Sequence, residues 1–387
     1  MAQRQFKTGD TSTWNDLYGS SSDGAYSPST GTDAPTDSAC SGTSGTTSLT
    51  ATNAGFAIGQ LILIHQTQGT GAGNWELNKI ASYTAGTITL SYALINTYGT
   101  GAQVLVMPQY SSGNIAGGVT ITVKSWNGTV GGIYAKFCNG DFTLAGTIQG
   151  TGLGFRRGLA VNATNAVGNT GEGSGGASSQ TTNKNGNGGG GGAADGDGRA
   201  GAGGGNAAAG TDGYTAGQGG SAVGNAGLTT IFMGGGGGAG GQDNGSQDGN
   251  NHGGAGGLIV LIIAKTIPTI TGNIYLNGNN GVGSNASYNG GGGGGAGGSC
   301  LLKGQTIDIG TNKITVAAGS GGGGSSPAGG AGSVGRIHAD YSTSITGTTS
   351  PTIDTTQDAI LAGLVATVNY LKYRGRNRLS FSGVSLG

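Results

Sequence analysis

Two runs of glycine constrain this chain more than any other feature. Residues 234–241 read GGGGGAGG and residues 290–298 read GGGGGGAGG, each with an alanine before a closing glycine pair. Glycine buries no side chain, and inside a helix it costs about 1 kcal/mol relative to alanine. The chain has 91 glycines in 387 residues, more than three times the usual ~7%, so a large helical enzyme is not expected. Collagen is excluded, because the glycines keep no strict period of three and only 6 prolines accompany them. Two readings remain for the glycine-rich insert at residues 158–257. One is a solvated linker. The other is a bundle of polyglycine-II-like helices, whose bare faces let backbones touch as at the collagen axis. The matched blocks lie against apolar segments rather than between separate domains, which favours the bundle.

Those apolar segments read as strands. Gln60–His65 is an apolar run. Trp75–Ile80 alternates, Thr87–Leu90 follows the Gly86 turn, and Gln103–Met107 stops at Pro108. Period-two patterning between glycine and proline marks strands, and the spacing predicts a small β-barrel or sandwich over residues 46–114. From residue 115 a unit recurs: Gly-Gly, an alternating strand, a turn, then a second short strand. Copies begin at Gly131-Gly132, Gly256-Gly257 and Gly297-Gly298, with a partial copy at Gly332-Ser333. A unit that cannot bury its apolar face alone stacks on its neighbours. The expected fold class is therefore all-β. It comprises a β-solenoid or β-prism-like set of coils over residues 115–347, carrying the glycine-rich insert, after the small barrel or sandwich.

The two ends differ from the middle. Residues 1–45 are rich in Ser, Thr, Gly and Asp and read as an extended arm with Trp14 and Tyr18 as anchors. Residues 348–387 read as a C-terminal helix and basic tail for attachment or oligomerisation. Ile360, Leu361, Leu364, Val365 and Val368 recur at helical spacing after Asp354, which is placed to cap the helix. Lys372, Arg374, Arg376 and Arg378 form the basic cluster.

Charge narrows the partners. Lys+Arg and Asp+Glu are 17 each, and charged residues are 9% of the chain. That balance gives little attraction to phosphate, so no nucleic-acid partner is expected. The longest apolar stretch, Leu258–Ala264, is too short to cross a bilayer. The N-terminus has no apolar core of the secretory type. Cys40, Cys138 and Cys300 are an odd number without metal-type spacing. Neither a cofactor nor a metal is expected.

The glycine blocks and the polar loops joining them resemble the distal tail-fibre adhesins of T-even-type bacteriophages. The segments GFAIGQLILIHQTQGTGAGNWELNKIAS, SWNGTVGGI and GTIQGTGLGFRRG resemble glycine-rich β-repeat proteins of bacterial surfaces and phages. The first resemblance implies a polyglycine-II sandwich whose loops bind outer-membrane receptors. Carried onto this chain, it points to Tyr214 and to the loop with Gln242, Asp243, Asn244, Asp248, Asn250, Asn251 and His252. Location in a virion fibre or at a cell surface follows, with copies of itself, other fibre proteins or a host surface protein or glycan as partners.

Catalytic chemistry finds little footing. His65 and His338 lie in strands and read as structural, while His252 sits in a polar loop. Asp195-Gly196-Asp197-Gly198 lacks the further ligands of a calcium loop. A glycosidase needs two facing carboxylates, for which Asp308 and Asp340 on separate coils are the candidates. The expectation is a non-enzymatic structural and adhesive protein. A self-assembling surface or filament subunit and a glycan depolymerase are the alternatives.

Overall fold

The computed structural model describes residues 19–194, 199–214, 217–242, 250–284, 289–323 and 327–362. Nearly all regular structure in them is β. The exception is a single 3₁₀ turn, Ala359–Ala362.

Two short strands open the described chain, β1 (Ala25–Tyr26) and β2 (Gly31–Asp33). A six-stranded closed barrel follows: β3 (Asp37–Gly42), β4 (Ser48–Ala51), β5 (Leu61–Gln66), β6 (Trp75–Thr84), β7 (Thr87–Leu90) and β8 (Tyr98–Met107). All its pairings are antiparallel. Ile62, Ile64, Ile80, Ile88, Leu90 and Val104 fill the interior, the inward half of each alternating strand. The barrel begins at Asp37, nine residues before the boundary read from the pattern. Asp37-Ser-Ala-Cys-Ser-Gly has too little apolar alternation to announce a strand. β1 and β2, inside the expected arm, pair in parallel with the sheet that follows the barrel. They are two and three residues long, below the length at which a pattern is visible.

That sheet is a curled parallel ladder. It uses β9 (Gln109–Tyr110), β10 (Ser112–Ile115), β11 (Thr120–Val123), β12 (Ile133–Leu144), β13 (Thr147–Gln149), β14 (Ile259–Ile267), β15 (Asn273–Tyr275), β16 (Ser299–Thr315), β17 (Arg336–Ser350) and β18 (Asp354–Gln357). Register is shared along it: Tyr134 pairs with Val260, Val260 with Cys300, and Cys300 with Ile337. A second column joins Ile121, Ile148, Ile274 and Ile314. Between the columns each repeat turns at a glycine. A Cβ on Gly272 would fall on the carbonyl oxygen of Gly146, the equivalent turn one repeat earlier. The glycine of each repeat is thus fixed by its neighbour's backbone.

Both faces of the ladder are buried, which explains the unbroken apolar run of β14. Tyr134, Cys138, Phe142, Val260 and Ile262 face the inside of the curl. Ile133, Phe137, Ile259 and Leu261 face outward, against Leu61, Leu63, Trp75, Leu105 and Met107 on the outer wall of the barrel.

The C-terminal helix expected from Asp354 is not formed over the described residues. Asp354–Gln357 is a strand, paired with β17 from His338 to Tyr341, and only the 3₁₀ turn follows. The β-branched run Thr352, Ile353, Thr355, Thr356 suits an extended chain, and a free ladder edge was there to receive it. Leu364, Val365, Val368 and the basic cluster lie outside the described residues.

Candidate functional site

The glycine-rich segments leave the ladder where the second strand of one repeat ends and return where the first strand of the next begins. Between those points they run as extended passes. Their hydrogen bonds follow a rule of three. Along 234–242, the N–H groups of Gly234, Gly237 and Gly240 donate to Gly257, Gly254 and Asn251. Those of Gly235, Gly238 and Gly241 donate to Gly205, Ala202 and Arg199. Those of Gly236, Ala239 and Gln242 donate to Glu172, Asn169 and Ala166. All nine bonds are 2.6–3.1 Å. Its carbonyls accept from Gly158, Gly189, Gly192, Gly293 and Ala296. The pass is therefore ringed by other passes, which accept from all nine of its N–H groups and donate to five of its carbonyls. A Cβ on Gly238 would meet the carbonyl oxygen of Gly190, and one on Gly237 that of Gly293.

The turns of the bundle sort into two ends. At the end nearer the ladder, the turns around Gly173–Gly176 and Leu228–Phe232 pack on the barrel. Gln68 donates Nε2 to the carbonyls of Gly173 and Gly176, both at 3.0 Å. Trp75 Nε1 donates to Leu228 at 3.3 Å, and the Ile231 amide donates to Gly73 at 2.9 Å. His65 joins this seam. Its Nε2–H donates to the Ile231 carbonyl at 2.9 Å, and its Nδ1 accepts from the Thr67 hydroxyl at 2.8 Å. The carbonyl can only accept, which fixes the tautomer. Burial pushes the His65 pKa down to about 4, against a smaller opposing effect of the Ile231 carbonyl.

The other end carries Arg199, Tyr214, Gly241 and Asn250. There Gly241 donates to Arg199, Gln242 to Ala166, Gly213 to Gly217 and Gly291 to Pro327, at 2.6–3.2 Å. Beneath them lies a closed amide cluster. Asn289 Nδ2 donates to Gln242 Oε1 at 3.0 Å, and Gln242 Nε2 donates to Asn251 Oδ1 at 3.0 Å. Asn251 Nδ2 reaches the Gly241 and Gly290 carbonyls at 3.2 and 3.1 Å. None of the three side chains is exposed.

This sorts the expected receptor residues. Tyr214 is exposed at 53% and Asn250 is exposed, both at the far end. His252 is half-buried and accepts the Ala160 amide at Nδ1, 2.8 Å. Gln242 and Asn251 are buried in the amide cluster and offer no side chain to a receptor. Asp243, Asn244 and Asp248 lie outside the described residues, as do Asp195–Gly198 and the basic cluster Lys372, Arg374, Arg376 and Arg378.

Sequence reasoning missed the buried amides that wedge between passes. Asn206 Nδ2 donates to the carbonyls of Gly297 at 2.7 Å and Gly298 at 3.2 Å. Asn187 Nδ2 reaches Gly205 and Met233 at 3.1 and 3.0 Å. Their one signal is an asparagine set inside or beside a glycine run.

The carboxylates weighed for catalysis have partners of their own. Asp340 is buried, contacts His338 Nε2 at 2.9 Å and pairs with Lys303; His338 Nδ1 meets Asp354 Oδ2 at 2.8 Å. Burial alone would raise the Asp340 pKa, but His338 and Lys303 hold it below the ordinary value. Asp308 accepts from the Thr269 hydroxyl at 2.6 Å and from the Gly310 amide at 3.0 Å. Among the described residues no group of three His, Cys, Asp or Glu side chains is placed to hold a metal. No described helix is long and apolar enough to cross a membrane. No protein-family model matches the chain, and no curated protein matches it.

Proposed function

We propose that this chain is a non-enzymatic structural and adhesive protein, a receptor-binding component of a virion tail fibre. In this reading the parallel ladder is a β-solenoid, and its glycine-rich excursions form a polyglycine-II bundle. The threefold rotation of hydrogen-bond partners along 234–242 supports the second point, because it matches the three residues per turn of that helix. The shared register of the ladder supports the first.

The observation that carries the function is the sorting of turns. One end of the bundle is committed to the barrel and ladder. The other carries the exposed Tyr214 and Asn250 on a support held by backbone bonds. Binding residues concentrate on loops placed by a rigid scaffold, and this arrangement fits a recognition surface. The test replaces residues 195–198 and 243–249 with Gly-Ser segments of equal length and measures adhesion of labelled protein to a panel of bacterial strains. Wild type is expected to bind a subset of strains, and the variant to bind them about tenfold less or worse with an unchanged melting temperature. Adhesion that survives the replacement would overturn this assignment of the receptor surface.

A second reading, a self-assembling filament subunit, draws on one feature. Among the described residues β18 pairs with β17 only from His338 to Tyr341, and β17 beyond Tyr341 has no ladder partner on that side. Such edges pair with other chains. Regular polymers of the purified protein on a sizing column and by electron microscopy would favour this reading.

A further inference from the structure

A cleft of about 640 Å³ opens on the flank of the bundle, within the size range of small-ligand sites. Its walls come from the β11–β12 loop at Ser125 and Trp126, the pass from Gly152 to Leu159, and the pass at Asn169 and Glu172. Two adjacent guanidinium groups set its charge. Arg156 grips Glu172, Nε to Oε2 at 2.8 Å and Nη2 to Oε1 at 2.5 Å. Trp126 Nε1 also donates to Oε2, at 3.1 Å. Glu172 is buried, whereas the Arg156 side chain stays 52% exposed. The pairing neutralises one guanidinium, holds its plane and leaves the rest of its five N–H donors unused by Glu172.

Arg157 lines the same cleft and is exposed, with no ion pair or hydrogen bond to a described residue. One carboxylate against two guanidinium groups leaves the cleft positive. Ser125, Asn169, Ser178 and Asn279 add hydroxyl and amide groups to its wall. Asn169 spends Nδ2 on the Leu159 carbonyl at 2.8 Å, so its Oδ1 remains as an acceptor. Leu159, 55% exposed, supplies an apolar rim. Trp126 is only 2% exposed and packs edge-on to Phe155, so it offers no ring face for a nucleobase.

We propose that this cleft binds a short acidic saccharide. Arg157 and the free donors of Arg156 take its oxyanion, as guanidinium forks take carboxylate or phosphate. The amide and hydroxyl groups take its sugar hydroxyls. The cleft's described lining includes none of the residues replaced in the adhesion test, so the two proposals fail independently.

The test is calorimetric titration of the full-length protein with a glucuronic-acid-containing disaccharide, glucose 6-phosphate and cellobiose. At least one charged probe is expected to bind, and cellobiose is not. Binding of the uronic acid alone identifies a carboxylate ligand, and binding of the phosphate alone a phosphorylated one. Arg157→Gln is expected to weaken that binding about tenfold or more without moving the melting temperature, since Arg157 supports no described contact. Arg157→Lys keeps the charge but loses the fork, and falls between the two. Absence of binding by both charged probes, equal binding of cellobiose, or an unchanged affinity in Arg157→Gln would each overturn the proposal.

Discussion

His65 shows how much one residue of a barrel strand can report about the whole assembly. Its ring is sealed between β5 and the bundle turn at Ile231, neutral and hydrogen-bonded at both nitrogens. Its pKa stands near 4 in the fold, against about 6.5 in an unfolded chain. Between those values the unfolded chain binds the proton and the folded one does not. Stability therefore falls as pH drops from about 6.5 to about 4, by roughly 3 kcal/mol in full. Denaturant unfolding of wild type and His65→Gln at pH 7 and pH 4 measures it. Wild type is expected to lose about 3 kcal/mol more than the variant over that interval, and equal losses would remove His65 from the seam. The sequence reading of His65 as structural rested on its place at the end of an apolar strand. Its partner Ile231 was not legible, because it sits in a turn 166 positions along the chain. Gln242 and Asn251 teach the opposite lesson. A polar residue beside a glycine run reads as loop, yet both are buried. A glycine bundle leaves many carbonyls at its ends, and side-chain amides satisfy them.

At the scale of elements, the strands with long apolar runs were legible, and the spacing of the repeats was too. β5, β7, β12, β14 and β16 fall where alternation or continuous apolar runs placed them. β1 and β2 were not legible, since strands this short carry almost no pattern and owe their existence to an edge that accepts them. The same edge logic turned Asp354–Gln357 from an expected helix into a strand: local helical spacing lost to an available ladder. The glycine passes make a sharper claim about sequence. Gly238→Ala puts a methyl group on the Gly190 carbonyl and is expected to destabilise the protein by about 3 kcal/mol or more. Ala239→Gly, one residue along and also buried, removes a methyl group without forcing the backbones apart. It is expected to cost about 1 kcal/mol. Chemical denaturation of the two variants side by side checks the order, and equal effects would contradict close backbone packing.

At the scale of the whole molecule, the described residues form three buried cores, one inside the barrel, one inside the curled ladder and one between them. The glycine bundle docks on the third through the turns at Leu228–Met233. Composition alone left the bundle open to a linker reading, because glycine-rich sequence is shared by flexible chains and packed ones. What separates them is long-range hydrogen bonding, which no local pattern records. The account therefore turns on whether those bonds exist in solution. The most direct measurement is amide hydrogen exchange, read in the glycine region of the nitrogen–proton NMR spectrum of the intact protein. Every N–H from Gly234 to Gln242 donates to another pass, so these amides are predicted to exchange as slowly as those of β14 and β16, by global opening. Exchange of the Gly234–Gln242 amides at unfolded-chain rates, while the strands stay protected, would contradict the bundle and with it the rigid support for Tyr214 and Asn250.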